Sequence, residues 1–103
     1  MSASKFTPGP WRLRPGHDPE EDHEHVESLD GDPIALVNLG EYEHDAHLIA
    51  AAPDLYAALE KAEVAFMALA RIEMAAGRKN SSANFDALVG TCRASLAKAR
   101  GES

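Results

Sequence analysis

The sequence predicts an α+β fold, in which a small antiparallel sheet of about three strands precedes a broken helix and a C-terminal helical hairpin. Three observations carry this prediction. Short alternating or wholly apolar segments lie within the first 40 residues, whereas from about residue 41 apolar residues recur at helical spacing. Gly, Pro and Asp-Gly punctuate the boundaries between these segments. The 103 residues are predicted to form a single domain, β-rich over 1–40 and helical over 41–101.

The predicted strands differ in their apolar patterns. Trp11–Arg14 alternates between apolar and basic residues, as a strand with one buried face does. His25–Leu29 and Pro33–Leu39 flank Asp30-Gly31-Asp32, and the Asp-Gly pair there predicts a hairpin with a type I′ turn. Pro33–Leu39 is apolar on both faces, and this predicts a central strand. Residues 16–25 contain no large apolar residue, so we expect an exposed acidic loop there.

A proline divides the first helical segment, which begins near Asp45. Pro53 cannot donate a backbone hydrogen bond, so a straight helix through it is disfavoured. Either the helix kinks, or one helix ends near Ala51 and a second begins with Pro53 in its first turn, which we favour. The second helix is expected to reach Ala76 and to stop at Gly77.

The last segment predicts another helix, which completes an antiparallel hairpin. Ser81 or Ser82 is expected to cap it, with residues 78–80 as the connection. Apolar residues cover more than one face of the preceding helix, so a homodimer or larger homo-oligomer is predicted. Cys92 is expected to be a buried thiol in a reducing compartment. It belongs to the apolar stripe Phe85, Leu88, Val89, Cys92, Leu96 and Ala99.

Charge and hydropathy narrow the classes of partner. The formal net charge is −7, and residues 15–32 hold eight carboxylates without a Lys or Arg. This field opposes binding to a phosphate backbone, so nucleic acid is not an expected partner. Because no apolar run approaches the roughly 20 residues of a membrane span, no membrane partner is expected either. We therefore expect a soluble, intracellular protein.

The residues do not predict catalysis or a cofactor. His17, His23 and His25 lie among carboxylates and offer atoms for a metal, but the segment has nothing to hold them in place. We expect no metal and no other cofactor. No serine has the context of an activated nucleophile, no glycine-rich phosphate loop is present, and His44 with His47 lacks a third ligand. A non-enzymatic protein is expected.

Two segments resemble a family of small proteins encoded by bacteriophages and prophages. They are Thr7–Trp11, which reads Thr-Pro-Gly-Pro-Trp, and Asp45–Leu55, which reads Asp-Ala-His-Leu-Ile-Ala-Ala-Ala-Pro-Asp-Leu. The ending Arg93–Glu102 is also similar. Family members usually have Asn-Ala-Arg where this chain has Asp45-Ala46-His47, and leucine in place of Tyr56. The resemblance implies a phage origin, with the cytoplasm of an infected or lysogenic bacterium as the location.

In overall plan the predicted architecture is similar to phage sponge proteins that sequester cyclic ADP-ribose isomers made by the Thoeris defence system. Those proteins combine an N-terminal sheet, two C-terminal helices and oligomeric assembly. The resemblance implies counter-defence by capture of a nucleotide-derived signal, such as a cyclic ADP-ribose isomer or a cyclic oligonucleotide. Capture needs arginines for phosphates and amides or hydroxyls for riboses. The available candidates are Arg71, Arg78, Asn80, Arg93 and Arg100.

A second hypothesis assigns the function to the acidic segment His17–Asp32. Its carboxylates would imitate the charge of nucleic acid toward a basic host surface. The chain would then block a host defence complex, such as CRISPR, by direct contact. Both hypotheses remain open from the sequence.

Overall fold

The α+β architecture is confirmed in the computed structural model, which describes residues 6–15, 23–38 and 44–102. Three strands form one antiparallel sheet in the order β1-β2-β3, and the helices follow it in the chain. The chain divides into two compact units, a sheet unit (residues 1–55) and a hairpin unit (residues 56–103). The single-domain organisation stays a prediction. The elements are β1 Trp11–Leu13, β2 His23–Ser28, β3 Pro33–Asn38, α1 Asp45–Ala50, α2 Ala52–Ala75 and α3 Lys79–Ala99.

The central strand of the sheet is β2, so the prediction of a central position for β3 is wrong. β2 pairs with β1 on one side and with β3 on the other. β2 can occupy the central position without two apolar faces because its polar side chains form hydrogen bonds within the sheet unit. The Glu27 carboxylate accepts hydrogen bonds from Arg12 (3.0 Å) and Arg14 (2.9 Å). β3 lies at the edge of the sheet, where Leu36 stays 62% exposed.

The connection between β2 and β3 is not the predicted type I′ turn. That turn needs positive φ at two successive residues, whereas here Gly31 has φ of 87° and no described non-glycine residue has positive φ. The amide of Gly31 donates to the carbonyl of Ser28 (3.0 Å), and the Ser28 amide donates to the Asp32 carbonyl (2.9 Å). The Ser28 hydroxyl also accepts a hydrogen bond from the Asp32 amide (3.1 Å), which stabilises this longer loop.

The predicted acidic loop is shorter than expected at its C-terminal end. His23 and His25 belong to β2, where His23 pairs with Asn38 and His25 with Leu36. Pairing with β3 supplies the backbone partners that allow this polar segment to be a strand. Residues 16–22, the rest of that loop, lie outside the described residues, as does Leu39 at the end of the predicted third strand.

The two segments that carry the phage resemblance meet within the sheet unit. Pro53 is buried, and a Cβ atom placed on Gly9 would lie 2.5 Å from the Cβ of Pro53. Gly9 is therefore needed for its lack of a side chain, because any larger residue would force the two segments apart. Nearby, α1 contacts β1 and β2, and both Ala46 of α1 and Val26 of β2 are 1% exposed.

The break before Pro53 is confirmed. α1 ends at Ala50 and α2 starts at Ala52, so the proline occupies the first turn of α2, where its missing N–H is tolerated. α2 continues to Ala75, and Gly77 follows with φ of 79°, a conformation that ends helices readily. The predicted stop at Gly77 is thus confirmed as well.

The hairpin of α2 and α3 is confirmed, but α3 begins earlier than predicted. It starts at Lys79, and Arg78 precedes it without a side-chain cap, so neither Ser81 nor Ser82 caps the helix. Ser82 is 1% exposed inside α3, and its hydroxyl donates to the carbonyl of Ala70 on α2 (3.0 Å). Because its hydroxyl forms this bond between the helices, Ser82 does not cap α3.

Part of the predicted apolar stripe of α3 forms the core of the hairpin, whereas two of its members, Leu88 (42% exposed) and Ala99, are exposed. Val89, Cys92 and Leu96 are all 5% exposed or less, which confirms the buried position of Cys92. Phe66 of α2 stacks on Phe85 of α3, with 6.2 Å between ring centroids. Within the described residues, no helix is long and apolar enough to cross a bilayer.

Candidate functional site

A groove of about 310 Å³ lies between α2 and α3. The residues that line it recur three or four positions apart on each helix, so each set lies on one helical face. The antiparallel packing of the hairpin brings these two faces together along one side. The lining residues are Met67, Ala70, Arg71 and Met74 of α2, with Ser82, Asp86, Val89 and Arg93 of α3.

The groove combines an apolar lining with charged groups. Met67, Met74 and Val89 supply the apolar surface, and methionine adapts its shape to flat ligands. Arg71 and Arg93 provide guanidinium donors suited to phosphate oxygens. Asp86 adds a carboxylate that can accept hydrogen bonds from hydroxyl or amine groups, and it offsets one of the two positive charges.

The two arginines of the groove differ in how firmly they are held. Arg93 donates from Nε to Glu63 (3.1 Å) and from Nη2 to the sulfur of Met67 (3.5 Å). These contacts position its guanidinium, yet leave further N–H donors for a ligand. Arg71 is exposed and forms no ion pair with any residue that the structure describes. Arg71 is thus the more available cation.

Arg78 and Asn80, also candidates from the sequence, lie at the start of α3. Arg78 pairs with Glu73 through its Nε and Nη2 atoms. This contact lowers the pKa of Glu73 and raises the pKa of Arg78, because each charge stabilises the other. Asn80 is exposed in the first turn of α3. Neither residue lines the groove.

Arg100, the fifth candidate, lies just past the opposite end of α3. Its Nη1 donates to the hydroxyl of Tyr56 (3.0 Å), and its Nε donates to Glu102 (3.1 Å). The Tyr56 hydroxyl, followed by Glu102, raises the pKa of Arg100. At 1.5 Å per residue, Arg78 and Arg100 are about 33 Å apart along α3. The structure therefore brings together Arg71 and Arg93 of the five candidates, and spreads the others.

The acidic segment that motivates the second hypothesis is partly internal. Glu27 is 5% exposed, and hydrogen bonds from Arg14 and then Arg12 hold its pKa below the ordinary value. It therefore contributes little to an acidic surface. The carboxylates at residues 18–22 lie outside the described residues, so charge mimicry stays a prediction.

The histidines give no metal site within the described part of the chain. There, no group of three or more His, Cys, Asp and Glu side chains is placed to hold a metal ion. His23 and His25 belong to β2, and His17 lies outside the described residues. His44 and His47 are exposed, with their ring centroids 6.0 Å apart.

Asp86 and the two methionines of the groove are not among the site residues predicted from the sequence. A signal for Asp86 was present, because residues 82, 86, 89 and 93 share one helical face with the buried stripe of α3. Met67 and Met74, one full heptad apart, likewise mark the facing side of α2. What the sequence lacked was the pairing of these faces, which depends on the rotation of each helix about its axis.

The comparisons with known proteins bear on the family. A model of the family described as Salmonella phage P22 protein Y8K6 matches residues 1–103 of the chain. This match supports the phage family expected from the resemblance. Searches among curated proteins and among solved structures found no match.

Proposed function

The chain belongs to the family of Salmonella phage P22 protein Y8K6, and from this premise we propose that it is a non-enzymatic binding protein that captures a small anionic nucleotide between α2 and α3. The proposed ligand is a nucleotide-derived immune signal, such as a cyclic ADP-ribose isomer or a cyclic oligonucleotide. Its capture in the host cytoplasm would serve counter-defence. The observation that carries the proposal is the presence of Arg71 and Arg93 on one groove that also has apolar side chains in its lining.

Each part of a nucleotide has a chemical counterpart in the groove. Phosphate oxygens match the guanidinium groups of Arg71 and Arg93, and a base matches the apolar surface of Met67, Met74 and Val89. Ribose hydroxyls match the carboxylate of Asp86. Ligand pockets range from about 300 to 1,000 Å³, so this groove suits a single nucleotide unit or part of a larger ligand.

Capture without turnover agrees with the chemistry of the groove. Its hydroxyl, on Ser82, is buried and already donates to the carbonyl of Ala70. An activated serine would instead need a hydrogen bond to a general base. This arrangement favours binding over nucleophilic catalysis.

Isothermal titration calorimetry on the full chain tests the proposal, with cyclic ADP-ribose isomers and cyclic oligonucleotides as ligands. We expect one of them to bind, and Arg71→Gln to weaken that binding about tenfold through loss of a charge-assisted hydrogen bond. Lys61→Gln is the matched control, since it removes one positive charge from an exposed position of α2 outside the groove. Its affinity should equal that of the wild type.

Mass spectrometry of the ligand recovered from the complex separates capture from turnover. The proposal requires the ligand to come back chemically unchanged. If none of the ligands gives a heat of binding, the capture function is wrong. If the recovered ligand is chemically converted, the non-enzymatic character is wrong. Equal losses in the Arg71 and Lys61 variants would remove the site from the groove and indicate attraction by overall charge instead.

A further inference from the structure

A second apolar face runs along α2 beside the face that contacts α3. Its residues follow one another at alternating spacings of three and four, the repeat of a helix that packs lengthwise on another helix. Leu55, Leu69 and Ile72 within it are 54%, 37% and 58% exposed. None of its members carries a charge. This α2 stripe consists of Leu55, Ala58, Ala62, Ala65, Leu69 and Ile72.

We propose that the α2 stripe is the seam of a homodimer, in which α2 packs antiparallel against α2 of a second copy of this chain. Charge favours this place for self-association. Two copies of a chain with a net charge of −7 repel each other, so contact is easiest where a face is uncharged. The stripe members offer such a face along α2.

Residue size along the stripe selects the antiparallel arrangement. Alanines occupy positions 58, 62 and 65, and the large residues Leu69 and Ile72 follow them. In an antiparallel pair with its two-fold axis midway between Ala65 and Leu69, Leu69 lies opposite Ala65 of the second copy and Ile72 opposite its Ala62. Positions 55 and 58 would lie opposite residues past the end of α2, so Ala62, Ala65, Leu69 and Ile72 form the seam. Each large side chain of one copy then packs against an alanine of the other copy. The two helices can therefore approach closely along the seam.

A parallel pair in register would lack this fit. Leu69 and Ile72 would each meet their own copy and hold the helices apart, whereas Ala62 and Ala65 would meet alanines and leave gaps. The stripe is thus self-complementary in one direction. A two-fold axis generates this kind of contact, in which the same patch is used by both copies.

The seam and the ligand groove lie on different sides of α2. The helix advances about 100° per residue, so the centre of the stripe lies about a quarter of a turn from Phe66 and Ala70, which contact α3. The groove residues Met67, Arg71 and Met74 lie still farther around the helix. The dimer and the capture of a ligand use different faces of α2, so each can be tested without the other.

Light scattering coupled to size-exclusion chromatography tests the seam on the full chain. The wild type should give twice the chain mass of 11.1 kDa, and Ala65→Glu should give the mass of one chain, because it places two carboxylates near the axis. Ala57→Glu is the matched control, an equal change at an exposed position of α2 outside the stripe, and should remain dimeric. A monomeric wild type, or dimers in both variants, overturns the seam.

Oxidative cross-linking tests the direction of the helices and does not depend on a destabilised variant. Ala62→Cys mixed with Ile72→Cys should form a disulfide-linked pair between the two chains, whereas each variant alone should not. Disulfides within each variant alone would show parallel helices and overturn the antiparallel seam. The wild type, whose Cys92 is buried, serves as the unlinked control. A mixture that forms no link likewise overturns the proposed register.

Discussion

The sheet unit contains a buried charge, whereas the buried polar group of the described hairpin is the Ser82 hydroxyl. In the sheet unit, Glu27 lies between Arg12 and Arg14 and is 5% exposed. In the hairpin unit, Glu63 and its partner Arg93 pair at the surface, where the arginine side chain is 59% exposed. The same kind of ion pair is therefore internal in one region and peripheral in the other.

This difference shows how each region obtains its specificity. The sheet unit depends on local fits, such as the shared Glu27 carboxylate and the close approach of Gly9 to Pro53. The hairpin depends on apolar residues that recur at helical spacing. The spacing must be kept, whereas the identity of each apolar side chain can vary. A periodic helix can carry a second apolar face, and α2 does so, which is why we assign both proposed contacts of the protein to this region.

The largest effect is expected from a cavity in the hairpin. Leu96 is 2% exposed, and Leu96→Ala should lower the free energy of unfolding by about 2–4 kcal/mol through lost apolar contacts and an unfilled space. Leu88→Ala is the control, since Leu88 is 42% exposed and its loss should cost about 0.5 kcal/mol. Urea denaturation followed by far-ultraviolet circular dichroism measures both. Equal losses would show that Leu96 does not lie in the hairpin core.

A steric change in the sheet unit should have an intermediate effect. Gly9→Ala places a methyl group 2.5 Å from the Cβ of Pro53, and should destabilise the protein by about 1–3 kcal/mol. Gly90→Ala on α3 is a control of opposite sign, because the site is open and alanine is the better helix former. Thermal unfolding should give a lower midpoint for the first variant and a higher one for the second. A midpoint of Gly9→Ala equal to the wild type would argue against the close contact.

The smallest of the three effects concerns Glu27, because Arg12 and Arg14 are half exposed and can turn to water when their partner is lost. Glu27→Gln should reduce stability at neutral pH more than the matched Glu63→Gln, which removes a surface ion pair worth less than about 1 kcal/mol. The pKa of Glu27 is lowered in the folded state, so its contribution is present above the ordinary glutamate pKa of about 4.3 and lost as pH falls through the lowered value.

Denaturation at a series of pH values measures this dependence. The gap in stability between the wild type and Glu27→Gln should be constant near neutral pH and should close in acid. A gap that widens in acid, or a Glu63→Gln variant with the same pH dependence, would contradict the role of the internal carboxylate.

The helices were predictable because their signals are local. Proline at position 53 and glycine at position 77 set the boundaries of α2 through backbone geometry, and the stripe of α3 set its buried face. The start of α3 was not predictable from Ser82, because a serine hydroxyl serves a cap or a neighbouring helix equally well. Its choice depends on the Ala70 carbonyl, 12 residues earlier.

The strand order and the site depended on contacts between distant residues. β3 looked central from its apolar residues, yet β2 holds that place because Arg12 and Arg14 neutralise Glu27 across the sheet. For the candidate site, composition pointed to five residues, and the hairpin geometry placed two of them, Arg71 and Arg93, on one groove. Asp86 lines the same groove because of the rotation of α3 about its axis, and composition does not specify that rotation.

By itself, the sequence determined the α+β class, the division of the helical segment at Pro53, the stop at Gly77 and the burial of Cys92. These features follow from backbone chemistry and from periodic patterns along a few turns of chain. The tertiary structure alone decided the central position of β2, the fit of Gly9 against Pro53 and the groove of Arg71 and Arg93. Each of these requires residues far apart in the chain to meet, and their meeting depends on packing that no local pattern encodes.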